Sequence, residues 1–140
     1  MKRHSSLALL SSDHQHGLVI ARLLQLAGKV EISGLKGLKD KLIAFYQSDL
    51  EIHFAKEEKY LVPPLKETQL IKKMCADHLQ IKKLFNMISA SDNNLSDNII
   101  SFGNFLDSHI RFEERELFPM IEKTLSEKQL EQIGRNINNE

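Results

Sequence analysis

The stretch His109-Ile110-Arg111-Phe112-Glu113-Glu114-Arg115-Glu116-Leu117-Phe118-Pro119 aligns with His53-Phe54-Ala55-Lys56-Glu57-Glu58-Lys59-Tyr60-Leu61-Val62-Pro63, matching at the histidine, both glutamates, the leucine and the proline. The later copy lies on a helix-period stripe, Leu95, Ile99, Phe102, Leu106, His109, Glu113 and Met120. A histidine and a carboxylate stand on it where leucine is expected. Upstream, Ile71, Met74, His78, Ile81, Phe85 and Ile88 alternate in steps of three and four over about Gln69 to Ala90, a core stripe with one histidine in it. Asp92-Asn93-Asn94 makes the turn between the two, and the fourth helix is expected to run to about Lys123.

Toward the N-terminus, the earlier copy belongs to a second helix from near Gly34 to Leu61, expected to stop at Pro63-Pro64 because proline donates no N–H. A first helix runs from about Ser12 to Lys29, where Ser12 with Gln15 matches a capping box and Gly28 lies near the end. Toward the C-terminus, Ser126-Glu127-Lys128-Gln129 can cap a short final helix carrying Leu130 and Ile133, and Asn136 to Glu140 reads as a frayed tail. Asp13-His14 and Asp77-His78 form a shorter echo, so the chain reads as two helical hairpins related by a pseudo-twofold axis. The expected fold is all-α, an up-down-up-down four-helix bundle with a short C-terminal helix, in one domain spanning residues 1–140.

Composition agrees with that reading. A 140-residue chain with 41% hydrophobic residues, six Gly and three Pro has the makings of a packed core and excludes a disordered or fibrous chain. Nineteen Lys and Arg balance nineteen Asp and Glu, so no net field draws it to nucleic acid or anionic lipid. The run Leu7-Ala8-Leu9-Leu10 is far shorter than the roughly 7–15 apolar residues of a signal sequence, and no segment approaches the roughly 18 of a membrane span. With Cys75 as the only cysteine, a reducing cytoplasm is the expected location.

The polar residues on the stripes gain meaning if they fall at one level. Counted from a turn at Ile32, His14 and His53 lie about 27 and 31 Å along antiparallel helices at about 1.5 Å per residue. Counted from turns at Leu65 and Asn93, His78 meets His53 and His109 meets His78 to within one residue. All four imidazoles therefore share one layer, and Glu57 and Glu113, each four residues after its histidine, project together toward one end of it. Burying two carboxylates without partners costs several kcal/mol each, a penalty that a bound cation removes. Imidazole with carboxylate suits iron, manganese or zinc better than calcium or magnesium, and four histidines with two carboxylates able to bridge fit two metal ions.

At His14, His53 with Glu57, His78, and His109 with Glu113, the sequence resembles the hemerythrin-like domain, also called the HHE cation-binding domain, over nearly the whole chain. The opening Met1-Lys2-Arg3-His4 and the stretch from His109 to Pro119 are similar to its small bacterial single-domain members. The resemblance implies a non-haem di-iron centre bridged by carboxylates and an oxo or hydroxo group, and links to oxygen binding, iron sensing and responses to nitric oxide or oxidative stress. Oxygen carriers of the family add a fifth histidine through a His-x-x-x-His pair on the third helix and carry a His-x-x-x-x-Asp on the fourth. Here Met74 and Lys82 flank His78 at four residues, and a Glu follows His109 at four. That departure implies two coordinatively open irons and counts against stable oxygen transport. A ferritin-like site is set aside because no Glu stands three residues before His53, His78 or His109.

The neighbours of these residues read as ordinary. His16, about 200° around the helix from His14, is expected at the surface, with a lesser alternative that it replaces His14 as ligand; His4 is a surface group. Glu58 and Glu114 read as flank carboxylates paired with Lys or Arg, with support of a metal ligand the lesser alternative, and Asp13 and Asp77, which could orient an imidazole, read first as flank charges that need no such task. Cys75 reads as a small core thiol, and Phe45, Phe85, Phe102, Phe105 and Phe112 as core fillers, some able to wall a metal from water.

Three functional readings remain open at this point. The first is a cytoplasmic di-iron protein that binds or responds to oxygen, nitric oxide, peroxide or iron supply, with no separate catalytic acid or base. The second is a di-iron enzyme that reduces nitric oxide, decomposes peroxide or donates iron for cluster repair. The third is a structural domain with zinc in a closed, redox-silent site.

Overall fold

The computed structural model describes residues 2–140, and among these every regular element is helical. A turn of 3-10 helix, Ser5–Leu7, leads into α1, Ala8–Gln25. After a second 3-10 turn, Ala27–Lys29, come α2, Ile32–Phe45, a π-helical turn, Tyr46–Leu50, and α3, Glu51–Leu65. Next are α4, Gln69–Ala90, and α5, Leu95–Phe112, followed by a second π turn, Glu113–Leu117, and α6, Phe118–Thr124. The chain closes with α7, Glu127–Asn138. The π turns join their neighbours without a break, so α2 with α3 and α5 with α6 form two long rods. With α1 and α4 these make the expected up-down-up-down bundle.

Several boundaries differ from the sequence reading. Helix 1 begins upstream of Ser12, because the His4 side chain takes the capping role: its Nδ1 accepts from the Ser6 backbone N–H at 3.0 Å. Pro63 and Pro64 do not stop α3, which continues to Leu65. They fall in its last turn, where the carbonyls left without donors, those of Lys59 and Tyr60, lie near the surface. The Ser126–Gln129 capping box is formed as expected, with bonds of 3.2 and 2.9 Å. The tail is not frayed from Asn136, because Ile137 is 1% exposed and extends the apolar face of α7. Asn94, at φ 54°, turns the chain between α4 and α5 in a left-handed conformation that asparagine tolerates.

The core consists of two apolar clusters, and each long helix passes from one to the other. The upper cluster holds Leu24, Leu42, Ile81, Phe102 and Leu106, among others; the lower holds Leu7, Leu61, Met74, Phe118 and Ile133. Glycine permits close packing at two points. A Cβ on Gly103 of α5 would lie 2.8 Å from the Ala21 carbonyl of α1, and one on Gly134 of α7 would lie 2.9 Å from the Ser6 Cα. The second contact lets α7 and the N-terminal segment close the lower end together. No helix among the described residues is long and apolar enough to cross a membrane.

Candidate metal centre

Between the two clusters, where each helix crosses from one to the other, lie His14 of α1, His53 and Glu57 of α3, His78 of α4, His109 of α5 and Glu113 of the following π turn. All six residues anticipated from the sequence meet there. Both glutamates are 0% exposed and no histidine exceeds 5%. The layer predicted by counting from the turns is thus formed, and it holds the buried carboxylates that an apolar core cannot accommodate unpaired.

The centre divides into two overlapping groups, His14, His53, Glu57 and Glu113, and Glu57, His78, His109 and Glu113. Both carboxylates belong to both. Glu57 turns Oε2 to His53 Nε2 at 3.2 Å and Oε1 to His78 Nε2 at 3.0 Å. Glu113 turns Oε1 to His14 Nε2 at 2.8 Å and Oε2 to His109 Nε2 at 3.0 Å. One oxygen of each carboxylate therefore faces each histidine pair.

On the outer side, every imidazole donates Nδ1–H to a carboxylate from a neighbouring helix. His53 bonds Asp13 at 3.0 Å, His109 bonds Asp77 at 3.0 Å, His78 bonds Glu58 at 2.7 Å and His14 bonds Glu114 at 2.6 Å. These bonds fix the tautomer and aim each Nε2 inward, as the outer partners of metal-bound histidines do. They correct the sequence reading of four ordinary flank charges. The assignment obeys the pseudo-twofold axis: Asp13 and Asp77 reach the next helix in the chain, and Glu58 and Glu114 reach the helix that carries the lone histidine. Two aromatic rings that sequence reasoning passed over wall the centre. Phe54 stacks on His78 at 3.9 Å between centroids, and Phe118 lies parallel to His14 at 5.4 Å.

Charge confirms how unsuited this layer is to a plain protein core. Burial disfavours a charged His14, but the Glu113 carboxylate beside Nε2 and the hydrogen bond to Glu114 outweigh it and carry the pKa up to about 9. Against the same burial, His53 rises to about 10 through the charge of Glu57 and its bond to Asp13, and His78 to about 11 through the nearby Glu113 carboxylate and its bonds to Glu57 and Glu58. Burial would raise the Glu113 pKa, yet the charge of His109 and the closeness of His14 hold it well below the usual carboxylate range. The layer thus demands positive charge. Protons serve poorly, since the Nε2 atoms of His14 and His53 stand 3.2 Å apart and only one can donate to the other. Two nitrogens on one metal at about 2.0–2.1 Å each are separated by about that distance. Of the five buried side-chain polar atoms that lack a hydrogen-bond partner among the described residues, four are here: Glu57 Oε2, His109 Nε2 and both Glu113 oxygens. Lone pairs converge without donors, and a cation fits them.

The remaining candidates lie elsewhere. His16, 56% exposed, turns away to Asp49 at 3.5 Å. His4 is half-buried, capping the first turn and bonding Glu127 at 2.9 Å, so it is structural and not a free surface group. Met74 is buried in the lower cluster and Lys82 is exposed, and neither adds a donor to the centre. Cys75 packs half-buried against the lower cluster, and burial pushes its thiol up, away from a reactive thiolate. A cavity of about 220 Å³ is lined by residues of α1, the α2–α3 rod and α5, His14, His53 and His109 among them, with the exposed His16 and Asp49 also on its wall.

A family model described as the hemerythrin HHE cation binding domain matches residues 7–122. No significant match was found among curated proteins or solved structures.

Proposed function

The chain belongs to the hemerythrin HHE cation-binding domain family, and on that premise we propose that it is a non-haem di-iron protein that binds or senses a small ligand such as oxygen, nitric oxide or peroxide. His14 and His53 would hold one ion and His78 and His109 the other, with Glu57 and Glu113 able to serve both. The observation that carries the reading is the sharing of both carboxylates between two histidine pairs, one oxygen to each. A bridge of that kind serves two ions, whereas a single structural zinc is satisfied by four donors. Bound iron supplies a redox-active Lewis acid. The protein's own part is to aim four Nε2 atoms through four outer hydrogen bonds, to exclude bulk water with Phe54 and Phe118, and to admit small molecules through the cavity that His16 and Asp49 help to line. Iron, which takes up to six donors, would find four protein donors at each position and so keep places for the ligand. No fifth histidine fills them, which favours reversible sensing or reaction over protected oxygen carriage.

The test is anaerobic loading with ferrous iron, followed by optical spectra before and after air, nitric oxide or peroxide, and again after dithionite. The expected result is two irons per chain and absorption bands that appear with the ligand and bleach on reduction. Stoichiometric zinc in the purified protein, with no spectral response to any ligand after iron loading, would overturn the reading.

A further inference from the structure

The segment Arg3-His4, ahead of the first helix, is tied to the centre on one side only. Arg3 Nη2 donates to the Glu114 carbonyl at 2.8 Å and to Glu114 Oε1 at 3.3 Å, while Nη1 donates to Glu122 Oε1 at 2.9 Å. The other Glu114 oxygen, Oε2, accepts from Ser11 Oγ at 2.7 Å and from His14 Nδ1 at 2.6 Å. The guanidinium also lies over Phe118 at 5.4 Å, the ring that stacks on His14. The His4 backbone N–H fixes the segment further by donating to Glu122 Oε2 at 2.6 Å. Under the pseudo-twofold axis the counterpart of Glu114 is Glu58, which bonds His78 but is held by no arginine, and its side chain is 49% exposed against 31% for Glu114. The symmetry of the four outer carboxylates is broken at this point.

We infer that Arg3 is a positioning residue for the first-helix ligand, clamping Glu114 and ring Phe118 so that His14 Nε2 is held toward the centre. The inference rests on the proposed metal reading. A guanidinium fork suits the task because it grips a carboxylate and a carbonyl at fixed angles, which an ammonium cannot do. Loss of an outer partner of a metal-bound histidine weakens metal binding by about tenfold to a hundredfold. Here the loss falls on the ion beside His14 and leaves the ion of His78 and His109 alone.

The experiment is zinc titration of the full chain against a chromophoric chelator, comparing wild type with Arg3→Gln and Arg3→Lys, together with nitrogen-15 spectra of the four histidine Nδ1–H groups in the zinc-loaded protein. The expected result is that one of two zinc equivalents weakens tenfold or more in Arg3→Gln, only slightly less in Arg3→Lys, and that the His14 Nδ1–H signal alone moves. Unchanged affinity for both equivalents would overturn the Arg3 role, as would equal weakening of both with all four signals shifted, the mark of general loosening. Should Arg3→Gln fail to fold, Arg3→Lys, which keeps the charge, carries the same comparison. A wild-type chain that binds no zinc would overturn the metal reading itself, and the inference with it.

Discussion

Glu113→Gln is the most informative single change at the centre. It keeps the side-chain volume at a position with 0% exposure but replaces two equivalent oxygens by one oxygen and one amide nitrogen. Glu113 Oε1 faces His14 at 2.8 Å, and Oε2 faces His109 at 3.0 Å and His78 at 3.7 Å, so no rotamer of glutamine offers an oxygen to both histidine pairs. If each ion loses about a hundredfold in affinity, the metal-linked stability falls by about 2.7 kcal/mol per ion, or about 5.5 kcal/mol for the two. Unfolding entropy of about 2.1 cal/mol/K per residue gives this 140-residue chain about 0.3 kcal/mol/K, so the rise in Tm on adding metal should shrink by about 18 °C. The assay is a pair of melting curves, one with chelator and one at fixed free metal, for wild type, Glu113→Gln and the exposed control Glu116→Gln. A Glu113→Gln protein whose metal-dependent Tm rise equals that of wild type would refute the bridging geometry.

Other consequences concern the surroundings of the centre. His16→Ala should leave metal stoichiometry at the wild-type value, because its ring faces Asp49 and not the layer; a halved content would exchange it with His14. Gly134→Ala places a methyl 2.9 Å from the Ser6 Cα and should cost about 1–3 kcal/mol through separation of α7 from the N-terminal turn, seen as a lower Tm in chemical and thermal melts. The pH response of the metal-free chain has a definite sign. With His14, His53 and His78 raised to about 9, 10 and 11 in the fold, their contribution is complete below the unfolded value near 6.5 and is lost as pH rises through the folded values. Melting with chelator should therefore show Tm falling from pH 6.5 to 10, while the increment from metal grows over the same range because binding releases protons. A metal-free Tm that climbs over that interval would contradict the charge arrangement.

The six central residues were legible because helix geometry converts sequence spacing into height. His53 with Glu57 and His109 with Glu113 announce themselves by repetition, and counting from the turns brings His14 and His78 to the same level. Their outer partners were not legible. Asp13, Asp77, Glu58 and Glu114 sit one residue from a central residue, where a solvated flank charge looks the same, and each serves a histidine on a different helix, a pairing that only tertiary packing decides. The prolines misled for a local reason: Pro63 and Pro64 break a helix in its interior, but here the ladder is already ending. The start of helix 1 was placed late because a histidine imidazole, His4, supplies the cap that serine was expected to provide. The π turns left no mark on hydrophobic period, although the one at Glu113–Leu117 carries both a central glutamate and the Glu114 that orients His14.

Metal content by mass spectrometry, on protein purified from a host given no added metal and repeated on His53→Ala, puts the central claim to its most direct test. Two irons per chain in the wild type, with a clear loss in the variant, is the predicted result. No metal in the wild type even after anaerobic iron addition, or equal occupancy in His53→Ala, would contradict it.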